Sequence, residues 1–296
     1  MKVSNRKCVR HLAWKSLLAS RTRNLIAIVA IALTTMLFTS LFTIALSIND
    51  GFQQSNFRQV GGFSHGGFKY MTQAQFDELK DDPLIGQWGE RRYLGMPREA
   101  PFNKAHVEVS FADANEAHWM YCDPVEGSLP QEGTDQAATD THVLELLGIK
   151  PEIGAEFTLT FDVDGHETTQ TFTLCGWWEY DEAIVANHVL IPESRVNEIL
   201  AEVGVDPDSP DDGMTGRWNL DVMLKSDSRH IERDLNQILE NHGYQSETAT
   251  LRTISLKFWK VTAIRIRAPE RRIISTLAST GAIPAPSSAI IWTPLW

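Results

Sequence analysis

The longest apolar run of the chain lies near its N-terminus. Between Arg23 and Asp50 no side chain is charged, and residues 25–48 are apolar apart from Ser and Thr. As a helix this run would extend ~36 Å, which exceeds the ~30 Å hydrocarbon core of a bilayer. A secretory signal has a shorter apolar region of about 7–15 residues, although residues 45–47 (Ala-Leu-Ser) resemble a cleavage site. The pattern predicts an uncut transmembrane helix over residues 24–49, with a cleaved signal as the alternative.

Beyond residue 50, shorter apolar patterns alternate between the two-residue period of strands and the 3.6-residue period of helices. Strand-like segments are ERRYLGM, KAHVEVSFA, HVLIP and WNLDVMLK, and helix-like segments are TQAQFDELK, TDTHVLELLG, ESRVNEILAEVG and SRHIERDLNQILENHG. The mixture predicts an α+β fold. A single N-terminal transmembrane helix is followed by a mixed α/β domain over residues 50–247 and an irregular C-terminal tail over residues 248–296.

Three local signals define parts of this domain more closely. Thr72 opens a capping box of the form T-x-x-Q. Thr139 or Asp140 caps a helix that Gly148 ends. Asp164-Gly165, between the alternating runs EFTLTFDV and HETTQTFTLCGWW, predicts a tight hairpin.

Charge divides the chain into three parts. Residues 1–50 carry seven basic and one acidic side chain, residues 51–247 carry 13 basic and 36 acidic ones, and residues 248–296 carry seven basic and one acidic. Because Lys and Arg stay on the cytoplasmic side of a membrane, we expect a cytoplasmic N-terminus and an extracytoplasmic domain at the cell membrane. The acidity of that domain opposes binding to nucleic acid or to anionic lipid.

Residues 1–23 are predicted to be a basic, cytoplasmic, amphipathic segment on the inner leaflet. A helix would bring its apolar side chains to one face, with Arg10 and Lys15 off that face: Val9, Leu12, Ala13, Ser16 and Leu17. The alternative is a disordered basic leader that only sets the topology.

The predicted transmembrane helix carries a stripe of small residues, Thr35, Thr39, Thr43 and Ser47, spaced every four positions. Such a stripe lets two helix backbones approach closely in a membrane, so it is a possible helix-packing face. The alternative is that these hydroxyl groups bond back to carbonyls of their own helix.

Candidate chemistry is sparse. There is no G-x-x-x-x-G-K-[ST] phosphate loop, and the Asp-rich segments DVDGHE and DPDSPDDG do not complete the calcium-loop pattern. His118 and Cys122 have the spacing of metal ligands but lack a second pair, which favours a structural histidine. The sequence therefore predicts no catalytic, cofactor-binding or metal site. The glycine-rich segment GGFSHGGF, residues 61–68, is predicted to be a flexible link between the membrane helix and the domain.

Two cysteines lie in the predicted extracytoplasmic domain, where disulfides persist. Cys122 and Cys175 are each followed or preceded by aromatic residues and are a possible disulfide pair. Two buried free thiols are the alternative. Cys8, on the cytoplasmic side, is expected to stay reduced.

Four turns and caps of the domain lie at Gly127-Ser128-Leu129-Pro130, Leu147-Gly148, Ile153-Gly154 with Leu159, and Ile191-Pro192. They are a G-x-L-P turn, a helix ending in Leu-Gly, an Ile-Gly entry to a hairpin, and a strand ending in Ile-Pro. This set resembles the permeases of MacB/FtsX-type ABC transporters, which have the same four features. The resemblance covers about residues 1–247.

The resemblance implies a protein that transmits force and performs no chemistry itself. In that family a separate ABC ATPase subunit binds the cytoplasmic face of two permease chains. ATP hydrolysis moves the membrane helices, and the movement reaches the extracytoplasmic domains. The implied partners are therefore an ATPase subunit, a second permease chain and the lipid bilayer.

The tail departs from the family pattern, which has three further spans after the extracytoplasmic domain. Residues 248–296 contain one acidic residue, Glu270, whereas the preceding region is strongly acidic. A change of reading frame near residue 247 would explain the lost acidity and the missing spans together. We therefore expect a truncated permease whose spans are encoded in another frame of the DNA, with a genuine basic tail as the alternative.

Three interpretations of function remain open at this point. The first is a permease subunit, or a fragment of one. The second is a single-pass membrane-anchored sensor or adaptor whose outer domain binds a ligand or a protein partner. The third is a membrane-anchored enzyme, which is disfavoured because no nucleophile or metal constellation stands out.

Overall fold

A computed structural model of the chain describes residues 6–209, 213–248, 262–267 and 272–277. The chain forms two compact units, residues 1–54 and residues 55–296. The fold is a mixed α/β arrangement with one long apolar helix near the N-terminus and a sheet-rich domain after it.

Two helices account for the first unit. Helix α1 is Arg6–Ala19, and helix α2 is Arg21–Val60, whose last residues belong to the second unit. By length and composition, α2 is the one helix of the described residues that qualifies to cross a membrane. Its apolar side chains, such as Leu25, Ile31 and Phe42, are exposed. The helix is longer than the predicted span, because residues 50–60 continue the helical pattern beyond the apolar run.

The second unit is built on a large sheet. Its strands are β1 Gly66–Met71, β2 Ile85–Gly95, β3 Val107–Ala112, β4 Glu126–Gly127, β5 Gln136–Asp140, β6 Glu156–Val163, β7 His166–Trp178, β8 Asn187–Leu190, β9 Trp218–Leu224, β10 Gln245–Thr248, β11 Thr262–Arg267 and β12 Arg272–Leu277. The helices of this unit are α3 Gln73–Leu79, α4 Ala114–Trp119, α5 Thr141–Leu147, α6 Glu193–Val203 and α7 Ile231–Asn241. Short 3-10 turns lie at Phe102–Lys104 and Asp227–Arg229.

The strand order is β10-β12-β11-β1-β9-β2-β3-β8-β5-β7-β4, with β6 paired to β7. Strand β1, the first strand of the chain, lies in the interior of the sheet between β9, which is antiparallel to it, and β11, which is parallel. Strands β3 and β8 pair in parallel, and so do β5 and β7. The sheet is therefore mixed, and its centre joins segments that are distant in sequence.

Apolar residues cover both faces of the sheet. One face packs Val109 and Val189 against α5 and α6, and Leu220 against α3 and α7, in two neighbouring hydrophobic clusters. Successive side chains of a strand point to opposite faces of the sheet, so the neighbouring residues lie on the other face. There Ala112 and Leu190 pack with residues of α4 and with the segment that follows it.

The local signals of the sequence are confirmed. Thr72 and Gln75 form the capping box of α3, and Asp140, rather than Thr139, caps α5 by accepting the Val143 amide. Gly148 ends α5 in the left-handed conformation. Asp164 and Gly165 both have positive φ and close the β6–β7 hairpin, as a two-residue type I′ turn requires.

The prediction of an irregular tail is wrong for two segments. Residues 262–267 and 272–277 form β11 and β12, and the rest of the tail beyond β10 lies outside the described residues. The sequences TAIRIR and RIISTL are rich in β-branched residues, and TAIRIR ends in the period-two alternation of a strand.

The turn that resembles G-x-L-P lies directly against strand β7. The Ser128 amide donates to the Cys175 carbonyl at 2.9 Å. A Cβ atom on Gly176 would lie 2.3 Å from the Ser128 carbonyl oxygen, which is closer than any real contact. Glycine is therefore required at position 176, because the backbone of the Ser128 turn lies too close to strand β7 to leave room for a side chain.

We expect Gly176→Ala to destabilise the domain by about 1–3 kcal/mol, because the strand or the turn must shift to admit the methyl group. The measurement is urea unfolding of the full chain in detergent. Gly213→Ala is the matched control, since a Cβ at Gly213 meets no atom within 4 Å. Equal stability of the two variants would contradict the proposed close contact.

Candidate functional site

Helix α2 ends inside the second unit, at a tight turn. Gly61 has a positive φ of 88°, and the Gly62 amide donates to the Phe57 carbonyl at 2.9 Å. A glycine in the left-handed conformation is the common way to end a helix, because it closes the last carbonyls without steric strain. The direction in which the chain leaves α2 is therefore set by backbone hydrogen bonds.

The glycine-rich segment after α2 is not the flexible link that the sequence predicts. Ser64 to Phe68 are buried, and the His65 amide donates to the Val222 carbonyl at 3.0 Å. The imidazole Nδ1 of His65 accepts from the Leu224 amide at 3.0 Å. A Cβ on Gly67 would lie 2.2 Å from Oδ1 of Asp221. Glycine at this position serves close packing, and the segment is an ordered part of the sheet.

Four side chains of the second unit, which we call the α2 anchor, hold the end of this helix: Arg58, Phe63, Tyr121 and Asp181. Nε of Arg58 donates to Oδ2 of Asp181 at 2.6 Å, and the guanidinium lies 5.0 Å from the centroid of the Tyr121 ring. The ring centroids of Phe63 and Tyr121 are 5.4 Å apart. Ion-pair, cation–π and aromatic contacts thus converge at one end of α2.

Two side chains of the α2 anchor, Asp181 and Tyr121, have shifted pKa values. Burial alone would raise the pKa of Asp181, but the Ala183 amide and the Arg58 guanidinium together lower it below its usual value. Burial raises the pKa of the Tyr121 hydroxyl. Asp181 is therefore ionised at neutral pH and pairs with Arg58 as a full charge.

Asp181 belongs to the 179–186 loop, which lines a small, partly open cavity with space for about one water molecule. Residues that line this cavity come from four parts of the domain and include Cys122, Asp140, Trp178, Tyr180, Asp181 and His188. Two of them, Asp140 and His188, are buried polar side chains. The cavity therefore combines carboxylates, aromatic rings and an imidazole, and it shares Asp181 with the α2 anchor.

His188 connects the cavity to a buried charged network on strands β2 and β3. The centre of the network is Glu108, which pairs with Arg91, accepts from Nε2 of His106 at 2.8 Å, and lies 4.0 Å from Nδ1 of His188. Burial would raise the pKa of Glu108, but Arg91 and the two histidines hold it well below its usual range. Burial and the nearby Arg91 lower the pKa of His188 to about 3, so its imidazole is neutral at physiological pH.

The two cysteines of the domain are free thiols, so the predicted disulfide is not formed in the structure. Both are buried in the same hydrophobic cluster. Sγ of Cys175 donates to the carbonyls of Ser128 and Ala137, and Sγ of Cys122 donates to the Met120 carbonyl. Backbone carbonyls therefore accept hydrogen bonds from both thiols. This arrangement corresponds to the alternative of two buried free thiols.

The other sequence-predicted positions divide between local structure and untested roles. Hydroxyls of Thr35, Thr39 and Thr43 each donate to the carbonyl four residues earlier. Their role in helix packing, with that of Ser47, stays a prediction. Nδ1 of His118 contacts Asp123 at 2.8 Å. Among the described residues no group of three or more His, Cys, Asp or Glu side chains is arranged to hold a metal.

The residues of the α2 anchor were not identified from the sequence. One signal was present: Arg58 is the only charged side chain of the segment GFQQSNFRQVGGF that follows Asp50. No pattern pointed to Asp181, because its loop, EYDEAIVAN, has the composition of an ordinary solvated turn. Its partner is 123 positions away in the chain, so the pairing depends on the tertiary fold.

No model of a protein family matches the chain, and no curated protein matches it. Among solved structures, the chain is similar to the extracellular domain of the noncanonic ABC-type transporter YknZ from Gram-positive bacteria. The identity is 13%, the TM-score is 0.36, and the match covers 58% of this chain and 84% of that one. At that TM-score the similarity supports no inference about what the present chain binds or does.

Because His188 is neutral in the folded state, it should make the free energy of unfolding depend on pH. Its pKa is depressed in the folded state, so the unfolded chain takes up a proton first, and the contribution of His188 is lost as the pH falls from about 6.5 towards 3. We expect the destabilisation caused by His188→Asn, measured by urea unfolding, to shrink below pH 6.5 by up to ~1.4 kcal/mol per pH unit. A difference between variant and parent that stays constant from pH 8 to pH 5 would contradict a neutral buried imidazole.

Proposed function

We propose that the chain is a permease subunit, or a fragment of one, of an ABC transporter. In this proposal a separate ATPase subunit hydrolyses ATP on the cytoplasmic side, and α2 passes the resulting movement to the extracytoplasmic domain. The movement serves export or mechanical signalling. The chain itself performs no catalysis and holds no cofactor.

The observation that carries the proposal is the α2 anchor. A helix apolar enough to cross a membrane ends on an ion pair and an aromatic contact within the folded domain, and the connection to β1 is short and partly buried. A passive tether needs no such contacts, because a flexible linker holds a domain at a membrane equally well. Fixed contacts at the end of α2 suit a helix whose position matters to the domain.

The resemblance to MacB/FtsX-type permeases gains support from the conformations of its glycines. Gly127, Gly148 and Gly154 all have positive φ, where glycine is strongly preferred. Pro192 directly precedes α6 and has an extended backbone conformation, consistent with the end of a strand in Ile-Pro. The residues that carry the resemblance therefore occupy positions with definite backbone requirements.

The second candidate is a membrane-anchored sensor or adaptor with an extracytoplasmic domain. The link between the 179–186 loop and α2 favours it, because Asp181 both lines the small cavity and pairs with Arg58. In a sensor, a ligand or protein partner would act on the domain and the signal would pass inward through α2. The two candidates share the same contacts and differ in the direction of coupling and in the partner.

The partner distinguishes the two candidates. We expect the full chain, purified from its native membranes in mild detergent, to retain an ATPase subunit with a G-x-x-x-x-G-K-[ST] phosphate loop and to show ATP hydrolysis. Mass spectrometry of the purified complex identifies the subunit. Purification of the chain without any ATPase under conditions that preserve other ABC complexes would favour the sensor or adaptor.

The proposed orientation makes a prediction of its own. With a peptide tag at the N-terminus, protease added to intact cells is expected to digest residues 51–247 while a tagged N-terminal fragment remains, because the seven basic residues before the apolar run keep that end inside. Permeabilised cells, in which the tag is also digested, are the control. A mature chain that begins near Ile48 would contradict a retained transmembrane helix.

A further inference from the structure

The 179–186 loop is organised around the side chain of Asp181. Oδ1 of Asp181 accepts from the Ala183 amide at 2.9 Å, and its carbonyl accepts from the Ile184 amide at 3.0 Å. The neighbouring Tyr180 amide donates to Oγ1 of Thr141 at 3.0 Å. The carboxylate therefore holds the loop in one conformation with one oxygen and contacts Arg58 with the other.

The cavity beneath the loop contains a buried thiol. Cys122 lines the cavity and is only 1% exposed, which closes its Sγ to reagents in solution. Burial also raises the pKa of this thiol well above its ordinary value, so little reactive thiolate is present. Both effects would weaken together if the loop moved and admitted water.

Cys175 provides an internal comparison. Cys175, on strand β7, is 7% exposed and belongs to the same hydrophobic cluster, but its thiol contacts the Ser128 and Ala137 carbonyls and it is not among the residues that line the cavity. General loosening of the domain would expose both thiols. Displacement of the loop alone would expose Cys122.

We propose that the Arg58–Asp181 ion pair is a latch through which the end of α2 holds the 179–186 loop in place beside Cys122, where the loop lines the small cavity. When α2 shifts, Arg58 withdraws from Asp181, the loop loses one of the contacts that hold its central carboxylate, and the cavity widens enough to admit water to Cys122. The cause assigned to the shift of α2 rests on the proposed function. The latch itself depends only on contacts within the domain.

The test is the rate at which iodoacetamide alkylates each cysteine of the full chain in detergent at pH 8, quantified by mass spectrometry of the peptides. We expect Arg58→Gln to raise the rate at Cys122 roughly five- to thirty-fold, because Arg58 supplies both an ion pair and a cation–π contact. Asp181→Asn keeps the shape of the loop and should raise the rate roughly two- to five-fold. Adding Asp181→Asn to Arg58→Gln should give little further increase, since both act on one interaction.

Three comparisons make the result decisive. Exposed Cys8 reports the activity of the reagent, and Cys175 reports the integrity of the cluster. Arg98→Gln removes an exposed ion pair with Asp162 and should leave the rate at Cys122 unchanged. An unchanged rate at Cys122 in both Arg58→Gln and Asp181→Asn would overturn the latch, as would equal increases at Cys122 and Cys175.

The outcome is independent of the partner. The purified chain without an ATPase is labelled in this experiment, so the latch can fail while an ATPase still co-purifies. Equally, the latch can hold in a chain that proves to be a sensor.

Discussion

The organisation of the domain depends on the short path between α2 and the interior of the sheet. Only residues 61–65 separate the end of α2 from β1, and β1 is paired on both sides, by β9 and by β11. A strand with two neighbours cannot slide or tilt without breaking two ladders of hydrogen bonds. The last turns of α2 are therefore tied to an interior strand of the sheet, which resists displacement.

Buried charges extend this rigidity away from the helix end. Arg92, which is fully buried, donates to Glu193 at 2.9 Å and to Asn197 at 2.7 Å, and so joins α6 to the sheet. On the opposite face, the Glu108 carboxylate contacts Arg91 and two histidines. Ion pairs of this kind contribute little net stability, since removing charges from water costs about as much as the pairing returns. They do restrict which packing arrangements are possible, because any shift would leave a buried charge without a partner.

The sequence was most informative where the cause of a structure is local. The Asp164-Gly165 hairpin, the Thr72 capping box and the end of α5 at Gly148 each depend on a few adjacent residues, and all are present as predicted. The core faces of α6 and α7 follow in the same way from helical spacing. Such features need no knowledge of the tertiary fold.

The sequence was least informative where a residue acts through a distant partner. The glycines of residues 61–68 have the composition of a flexible link, and only the position of Asp221 shows that Gly67 permits close packing. Likewise, Cys122 and Cys175 share a cluster, yet the structure satisfies their thiols through separate carbonyls. The α2 anchor is the strongest example, because Arg58 and Asp181 have no signal in common before the chain is folded.

The position of β1 also has a consequence for the time course of synthesis. The Tyr70 amide, at the end of β1, is bonded to Asn219 of β9 across 149 positions of sequence. At translation rates of roughly 5–20 residues per second, β1 emerges about 7–30 seconds before its neighbour exists. During that interval the segment GGFKYM has unpaired edges and an exposed Phe68, so its solubility depends on the glycines and on Lys69. A strand that is paired on both sides in the finished sheet is thus one that the nascent chain must protect for a long interval.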